Sequence, residues 1–270
     1  MSATAPSTRP DQTGSRPLLR RIAVTACYVI TVIGSVIGVG VFGGEPIAEA
    51  AGGLLAADST HLAPASTAFS IWSVIYAGLG AYTLWQWWDA DDHRGIAGHA
   101  IASLLLNAAW ILVIQAGWVW VSVLVIVTLL VVLADLFRRL IATPPRGVMG
   151  RVVVDGTFGL YLGWVSVATC ANIAAALAGS GFFGLGIPQW IASAVLAVAA
   201  AVGIGLCLAG NRPIGAPAAM IWGLTWIAVG RATDEPFSPV TAVAAGVAAA
   251  LIAAAAIVQW VRPAPEPAAR

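Results

Sequence analysis

The sequence predicts an all-α, polytopic transmembrane helix bundle, and three observations carry that prediction. Hydrophobic residues make up 60% of the 270 residues and charged residues only 9%. The mean hydropathy is +0.90. Apolar runs with few or no charges recur along the chain, at the length of about 20 residues that a membrane-crossing helix needs. Since so little polar surface cannot cover a water-soluble globule, we expect one membrane domain and no separate soluble domain.

Eight helices follow when the apolar runs are taken in order. Residues 1–19 are rich in Ser, Thr, Pro and Arg and predict a disordered N-terminal tail. A Gly-Ser-Gly turn at 179–181 and the helix-starting Pro188 separate the fifth run from the sixth. A count of seven spans stays open if residues 213–230 are re-entrant. The predicted helices cover residues 22–44, 68–88, 97–115, 118–137, 152–178, 188–210, 214–230 and 237–261.

The placement of arginine predicts the orientation. All 13 basic residues are arginine, and with eight spans only Arg231 falls on the side away from the termini. Because cytoplasmic loops are enriched in Lys and Arg, both termini are predicted to be cytoplasmic, with loops 45–66 and 231–236 outside. We expect an integral, multi-pass membrane protein. The arginines on the terminal side are Arg9, Arg16, Arg20, Arg21, Arg94, Arg138, Arg139, Arg146, Arg151, Arg212, Arg262 and Arg270.

The cysteines carry no recognisable chemistry. Cys27, Cys170 and Cys207 lie singly in apolar runs, without a Cys-x-x-Cys pair, so disulfide, zinc and c-type haem interpretations lack support. We interpret them as small buried hydrophobic residues. We expect no catalytic residue, no cofactor, no metal site and no nucleic-acid partner.

Twelve tryptophans are present, and their positions divide them into two groups. Seven fall near predicted helix ends, where tryptophan normally meets the membrane interface. The other five lie deeper, where each indole N–H needs an internal partner because an unpaired buried donor is costly. These five are Trp72, Trp110, Trp164, Trp222 and Trp226.

Aromatic and polar residues form stripes on three of the predicted helices at steps of three and four, which place them on one helical face. Such stripes are typical of an apolar pocket with a few hydrogen-bonding groups. They are equally typical of interhelical hydrogen bonds that hold a bundle together, and spacing alone leans towards this second interpretation. The stripes are Phe69, Trp72, Tyr76, Gly80 and Thr83; His99, Ser103, Asn107 and Trp110; and Tyr161, Trp164, Ala168 and Asn172.

Three segments of these helices match one family pattern in the same order. Residues 68–76 read AFSIWSVIY, with a tyrosine four positions after a tryptophan. Residues 106–110 read LNAAW, and residues 161–172 read YLGWVSVATCAN. In these segments the chain resembles the TspO/MBR family, also called the tryptophan-rich sensory protein, translocator protein or peripheral-type benzodiazepine receptor family. The last segment is similar to the signature Pro-Tyr-Leu-x-Trp-x-x-x-Ala-Thr-x-x-Asn of the family's fifth helix.

The resemblance implies a five-helix ligand-binding bundle over residues 20–178, with loop 45–66 as a lid. Residues 179–261 then form three additional helices and 262–270 a C-terminal tail, as in an extended, bacterial-type member, which implies a bacterial cell membrane. Family members bind porphyrins and other flat hydrophobic molecules, so a porphyrin-like small molecule and membrane lipid are the expected partners, and a homodimer is left open. The residues that match pocket positions are Trp72, Tyr76, Asn107, Trp110, Tyr161, Trp164, Ala168 and Asn172.

The chain also departs from the family pattern. The lid has Pro64 alone where the family has paired prolines, and Leu160 stands where the fifth helix carries a proline. No Tyr or Arg follows Asn172, so the cholesterol-recognition motif of the animal members is missing and a sterol is not the first expectation. The predicted function is a porphyrin-binding sensor or carrier. A multi-span permease and a light-dependent porphyrin-degrading protein are the alternatives.

Four smaller patterns have more than one interpretation. The Gly-x-x-x-Gly pairs at 34–38 and 40–44 favour close helix packing, either within the bundle or between two copies. Asp135 has helical spacing to Arg138 and Arg139, and Asp155 to Arg151, which indicates interfacial ion pairs more than a proton relay. His61 in the lid is more typical of a solvated side chain than of a haem ligand. Trp222, Trp226 and Gly230 repeat the spacing of the second helix, which we interpret as coincidence.

Overall fold

The computed structural model describes residues 15–38, 46–89, 92–209 and 213–262. Within these ranges the chain is all-α, without a strand, and forms eight long helices. A π-helical segment, Gly150–Gly156, leads into the fifth helix. The helices are α1 (Ser15–Gly38), α2 (Ile71–Trp85), α3 (Ala97–Gln115), α4 (Val119–Ala142), α5 (Thr157–Gly179), α6 (Pro188–Leu208), α7 (Gly215–Thr233) and α8 (Pro239–Val261). This architecture confirms the predicted all-α polytopic bundle.

The helix boundaries follow local chemistry. Gly117, after α3, has a φ of 75° and Gly181, after α5, a φ of 81°, a left-handed conformation that glycine adopts at little cost. Proline occupies the first turn of α6 and α8, where its missing N–H costs no helical hydrogen bond. Ser238 caps α8 by accepting a hydrogen bond from the Thr241 amide at 3.2 Å.

Helix α1 begins at Ser15, before the predicted start at residue 22. Residues 1–14, which make up most of the predicted tail, lie outside the described residues, as do 39–45 and the final eight residues. The second Gly-x-x-x-Gly pair, at 40–44, therefore falls outside them. Gly34 of the first pair faces α3, where an added Cβ would lie 3.6 Å from that of Ala108. This pair thus permits close packing inside the bundle.

Helices α1 to α5 form a closed ring. Around it, α1 contacts α2, α2 contacts α5, α5 contacts α4, α4 contacts α3, and α3 returns to α1. Small residues bring the axes together: a Cβ on Gly80 of α2 would lie 2.6 Å from Tyr28 Oη of α1. The largest apolar core fills the interior of this ring.

Helices α6, α7 and α8 form a second layer against the ring. Helix α7 packs along α5 on one side and α8 on the other, and α8 packs on α6. A Cβ on Gly163 of α5 would overlap the carbonyl oxygen of Ala216 in α7, so the two backbones nearly touch. A second apolar core, which includes Leu196, Leu224 and Ile252, joins the three helices.

Seven of the eight helices are long and apolar enough to cross a membrane, and α7 is the exception. Its 19 residues extend about 28 Å at 1.5 Å per residue. It runs alongside α5, from Gly215 beside Gly159 to Arg231 beside the lid. Since α5 and α8 cover it, α7 needs less hydrophobicity than a lipid-facing helix. The geometry therefore favours a full-length helix over a re-entrant loop.

Ion pairs lie at the end of the bundle opposite the lid. Asp135 contacts Arg138 at 3.3 Å, Arg139 at 3.0 Å and His99 at 2.8 Å. The ion pair of Asp155 is with Arg94, at 2.5 Å, rather than with the expected Arg151. Arg94 also donates to the Leu140 carbonyl at 2.8 Å. It thereby holds the loop before α3 against α4 and against the π-helical segment that precedes α5.

Candidate ligand-binding site

Four aromatic side chains from α2 and α5 meet in the middle of the ring. Trp72 stacks on Tyr76, with ring centroids 5.3 Å apart and planes 23° apart. Trp72 also meets the edges of Tyr161 at 5.9 Å and of Trp164 at 6.2 Å. Phe69 adds a further edge contact to Trp164 at 5.8 Å. Edge-to-face and offset contacts of this kind are favoured by the aromatic quadrupole, so the cluster forms a rigid wall shared by two helices.

The two phenols of this aromatic cluster are tied to α3. Asn107 Nδ2 donates to Tyr76 Oη at 3.1 Å, and Tyr161 Oη donates to the Ser103 carbonyl at 3.2 Å. Asn107 and Tyr161 are almost wholly buried. These bonds orient the phenols and satisfy groups that would be costly to bury alone.

Asn172 of α5 organises a second polar group. Trp110 Nε1 donates to Asn172 Oδ1 at 2.7 Å, and Asn172 Nδ2 donates to Ser122 Oγ at 2.9 Å. Ser122 in turn donates to the Val119 carbonyl at 2.6 Å. The asparagine therefore joins α3, α4 and α5 at one point.

Trp164 differs from the other pocket tryptophan, Trp110, in having an unsatisfied N–H. Its side chain is only 2% exposed, and its Nε1 has no hydrogen-bond partner among the described residues. An unpaired buried donor costs about 1–3 kcal/mol. An acceptor on a bound molecule would remove that cost, so this donor is available for ligand recognition.

A small cavity lies between the aromatic cluster and the lid. Its volume is about 40 Å³, whereas small-molecule sites usually measure about 300–1,000 Å³. In this conformation the site is therefore closed. The cavity is lined by lid residues Ile47, Leu54, Leu55, Ser59, Ala63 and Pro64 and by Phe69, Trp110, Trp164, Val167, Ala168, Ala171 and Asn172.

The lid is held down by α7. Arg231, fully buried, donates from Nη2 to the Ala57 carbonyl at 2.6 Å and from Nη1 to the Thr60 carbonyl at 3.1 Å. The Ala65 amide donates to the Trp226 carbonyl at 3.1 Å. Trp222 Nε1 donates to the Ala68 carbonyl at 2.9 Å, just before α2. Helix α7 thus fixes both the lid and the entry to α2.

The eight residues that match family pocket positions fall into two layers. Trp110, Trp164, Ala168 and Asn172 line the cavity directly. The remaining four, Trp72, Tyr76, Asn107 and Tyr161, lie behind Trp164 or beside α3 and contact the cavity only through their neighbours. The structure therefore places four of the eight residues at the cavity and four behind them, and Trp164 belongs to both the cavity wall and the aromatic cluster.

Comparison with known proteins shows to which family the chain belongs. The sequence model of the family described as TSPO-like protein matches residues 21–258 of the chain. The chain belongs to this family. The match extends across all eight helices, so it includes α6 to α8 as well as the five-helix ring. No curated protein and no solved structure matches the chain. With its spanning helices, the chain is an integral, multi-pass membrane protein of the TSPO-like type.

The contacts by which α7 holds the lid were not predicted from the sequence. The indole N–H of Trp222, which was expected to need an internal partner, bonds the Ala68 carbonyl before α2, while Trp226 contributes only its backbone carbonyl, to the Ala65 amide of the lid. The available signal was Arg231, the single arginine placed on the far side. His61 lies beside a different cavity, between α5 and α6, and not among the residues that line the aromatic cavity.

Proposed function

We propose that this TSPO-like protein binds a porphyrin-like or similarly flat hydrophobic molecule beneath the lid and acts as a sensor or carrier. The observation that carries the proposal is Trp164, a buried indole with a free N–H at the junction of the aromatic cluster and the lid-covered cavity. Indole and phenol rings offer faces that stack on a planar macrocycle. The unpaired N–H and the Asn172 amide offer groups for its polar edge.

Binding of a macrocycle requires the site to open. A volume of about 40 Å³ holds at most a few water molecules, since one water needs about 10–15 Å³ by this measure. The ring helices are tied by buried hydrogen bonds, whereas the lid is a loop that α7 holds by a few contacts. Lid displacement is therefore the simplest route to a ligand-sized site, and it would expose Trp164 and Trp110 first.

In the membrane, we propose that both termini are cytoplasmic and that the lid faces outward, because arginine concentrates at the end opposite the lid. A ligand would then enter from the outer side or from the outer half of the bilayer. The first Gly-x-x-x-Gly pair is used inside the bundle. A homodimer would need another surface than Gly34.

The test is quenching of the intrinsic tryptophan fluorescence of the full chain in detergent by a panel of flat and non-flat ligands. Protoporphyrin IX should quench saturably with a micromolar dissociation constant, which corresponds to about 8 kcal/mol. Cholesterol should compete poorly, because it offers no flat aromatic face. Non-saturable quenching that only follows the porphyrin content of the micelles would overturn the proposal.

A further inference from the structure

A larger cavity lies outside the five-helix ring, between α5 and α6. Its volume is about 390 Å³, within the usual range of about 300–1,000 Å³ for small-molecule sites. Residues 59–62 of the lid and residues 182–184 of the α5–α6 loop close its outer end. Because α6 forms one wall, this cavity depends on the helices that extend the five-helix ring.

Helix α5 separates the two cavities. Trp164, Ala168 and Asn172 line the aromatic cavity, while Ile173, Ala174 and Leu177 line the larger one. The lid touches both, because Ser59 lines each of them. The larger cavity is thus a separate site under the same lid.

The walls of the larger cavity suit a flexible chain better than a flat ring. Ile173, Ala174 and Leu177 face Ile191, Ala192 and Val195 across it. Among the described residues, no tryptophan or tyrosine lines it, and its two phenylalanines, Phe182 and Phe183, lie in the loop at its outer end. An aliphatic slot of this kind gains free energy in proportion to the apolar area that it buries and offers no stacking platform.

Polar groups are concentrated at the lid end of this cavity. Thr60 Oγ1 and His61 Nδ1 are buried and have no hydrogen-bond partner within the described part of the chain. Burial lowers the pKa of His61, and the positive charge of Arg231 lowers it further. The imidazole is therefore neutral at pH 7 and, depending on its tautomer, can accept or donate a hydrogen bond. Two unsatisfied groups next to an aliphatic slot match an amphiphile.

We infer that this cavity binds a single-chain fatty acid, with the acyl chain between α5 and α6 and the carboxylic head at Thr60 and His61. The ionised carboxylate head accepts hydrogen bonds, and the Thr60 hydroxyl and a neutral His61 with its proton on Nδ1 can each donate one, which satisfies the two unpaired groups at once. The chain fills the aliphatic slot and excludes water from it. Occupancy would support the lid from below, at residues next to those that Arg231 holds from α7.

The test uses a stearic acid with a diazirine in mid-chain, photolysed with the full chain in detergent, and mass spectrometry of the adducts. Adducts should concentrate on residues 170–195, and an excess of palmitic acid should suppress them. Ala174→Phe, which fills the slot, should reduce labelling about tenfold, equivalent to about 1.4 kcal/mol. Ala194→Phe is the matched control, because Ala194 is exposed on α6 and should leave labelling unchanged.

A second pair of variants addresses the polar end without filling the cavity. Thr60→Val and His61→Phe should each weaken competition by palmitic acid while protoporphyrin IX binding persists. Adducts spread evenly over lipid-facing helices would overturn the inference. So would a phospholipid that competes as well as palmitic acid, since the slot would then hold ordinary membrane lipid. The porphyrin titration is independent of these outcomes, so either proposal can fail alone.

Discussion

Arg231 in α7 donates a hydrogen bond to the carbonyl of Ala57 in the lid at 2.6 Å, across 174 positions of sequence. The guanidinium is fully buried and makes a second contact with the Thr60 carbonyl. The negative charges of Asp234, Asp58 and Glu235 stabilise the positive charge of the guanidinium. Hydrogen bonds from a charged guanidinium to carbonyl oxygens are stronger than those between neutral groups, so Arg231 holds the lid firmly. This contact gives α7 a role that the five-helix ring alone lacks, because it joins α7 to the lid in the closed conformation.

Arg231→Met should loosen the lid. The substitution removes the charge-assisted bonds and leaves the Ala57 carbonyl without a donor, at about 1–3 kcal/mol for an unsatisfied buried group, whereas the Thr60 carbonyl keeps its bond from the Ala63 amide. We expect a lower midpoint of thermal unfolding and faster association of protoporphyrin IX, measured by stopped-flow fluorescence. Arg146→Met is the control, since Arg146 is exposed at the opposite end. An unchanged association rate in Arg231→Met would show that the lid does not limit entry.

The bond from Trp110 to Asn172 should show energetic coupling in a double-mutant cycle. Asn172→Leu leaves the Trp110 N–H and the Ser122 hydroxyl short of a partner, at about 1–3 kcal/mol. Trp110→Phe removes one of the groups left behind, so the double variant should be less destabilised than the sum of the singles by about 0.5–3 kcal/mol. The measurement is the unfolding free energy in detergent. Strict additivity would mean that the two side chains do not act together.

Lid closure should weaken as the pH falls below about 6.5, the ordinary pKa of histidine. The pKa of His61 is lowered in the closed state by burial and by Arg231, so the open or unfolded state binds more protons in this range. The stabilisation of the closed lid by neutral His61 is therefore present above about pH 6.5. It is lost as the pH falls from there towards the lowered pKa of His61. Proteolysis of the lid measures this, and His61→Gln should flatten the profile. An identical pH profile in His61→Gln would assign the effect to another group.

The proposed orientation predicts opposite reactivity at two engineered cysteines. Asp58→Cys in the lid should react with an impermeant maleimide in intact cells, whereas Arg146→Cys between α4 and α5 should react only after permeabilisation. The native cysteines are poorly exposed, so background labelling should be low. Protection of position 58 together with labelling of position 146 would reverse the orientation.

The helices could be predicted from the sequence because their signals are local. Hydropathy and turn residues such as Gly117 and Pro188 determine most boundaries within a few residues, although α1 begins at Ser15, before its predicted start at residue 22. The aromatic contacts of Trp72 with Trp164 also followed, since helical spacing and the family pattern place both residues on inward faces. Their assignment to a ligand-binding site depends on the family pattern, because spacing alone leans towards helix packing.

The closure of the site could not be predicted, because it depends on contacts between distant segments. The Arg231 clamp bridges more than 170 positions, and no local pattern encodes it. The unpaired N–H of Trp164 is likewise a property of the packed structure. The larger cavity between α5 and α6 arises where two layers meet imperfectly, and sequence periodicity carries no information on such gaps.

The most direct test of the central claim compares the dissociation constant of protoporphyrin IX for Trp164→Phe and Trp260→Phe in the full chain. Trp164→Phe retains an aromatic ring but removes the unpaired N–H and part of the indole face. We predict a dissociation constant about tenfold higher, roughly 1.4 kcal/mol. Trp260, half-exposed at the end of α8, should be replaceable without effect. Equal changes in the two variants would contradict a specific site beneath the lid and would indicate partitioning of the porphyrin into the surrounding detergent.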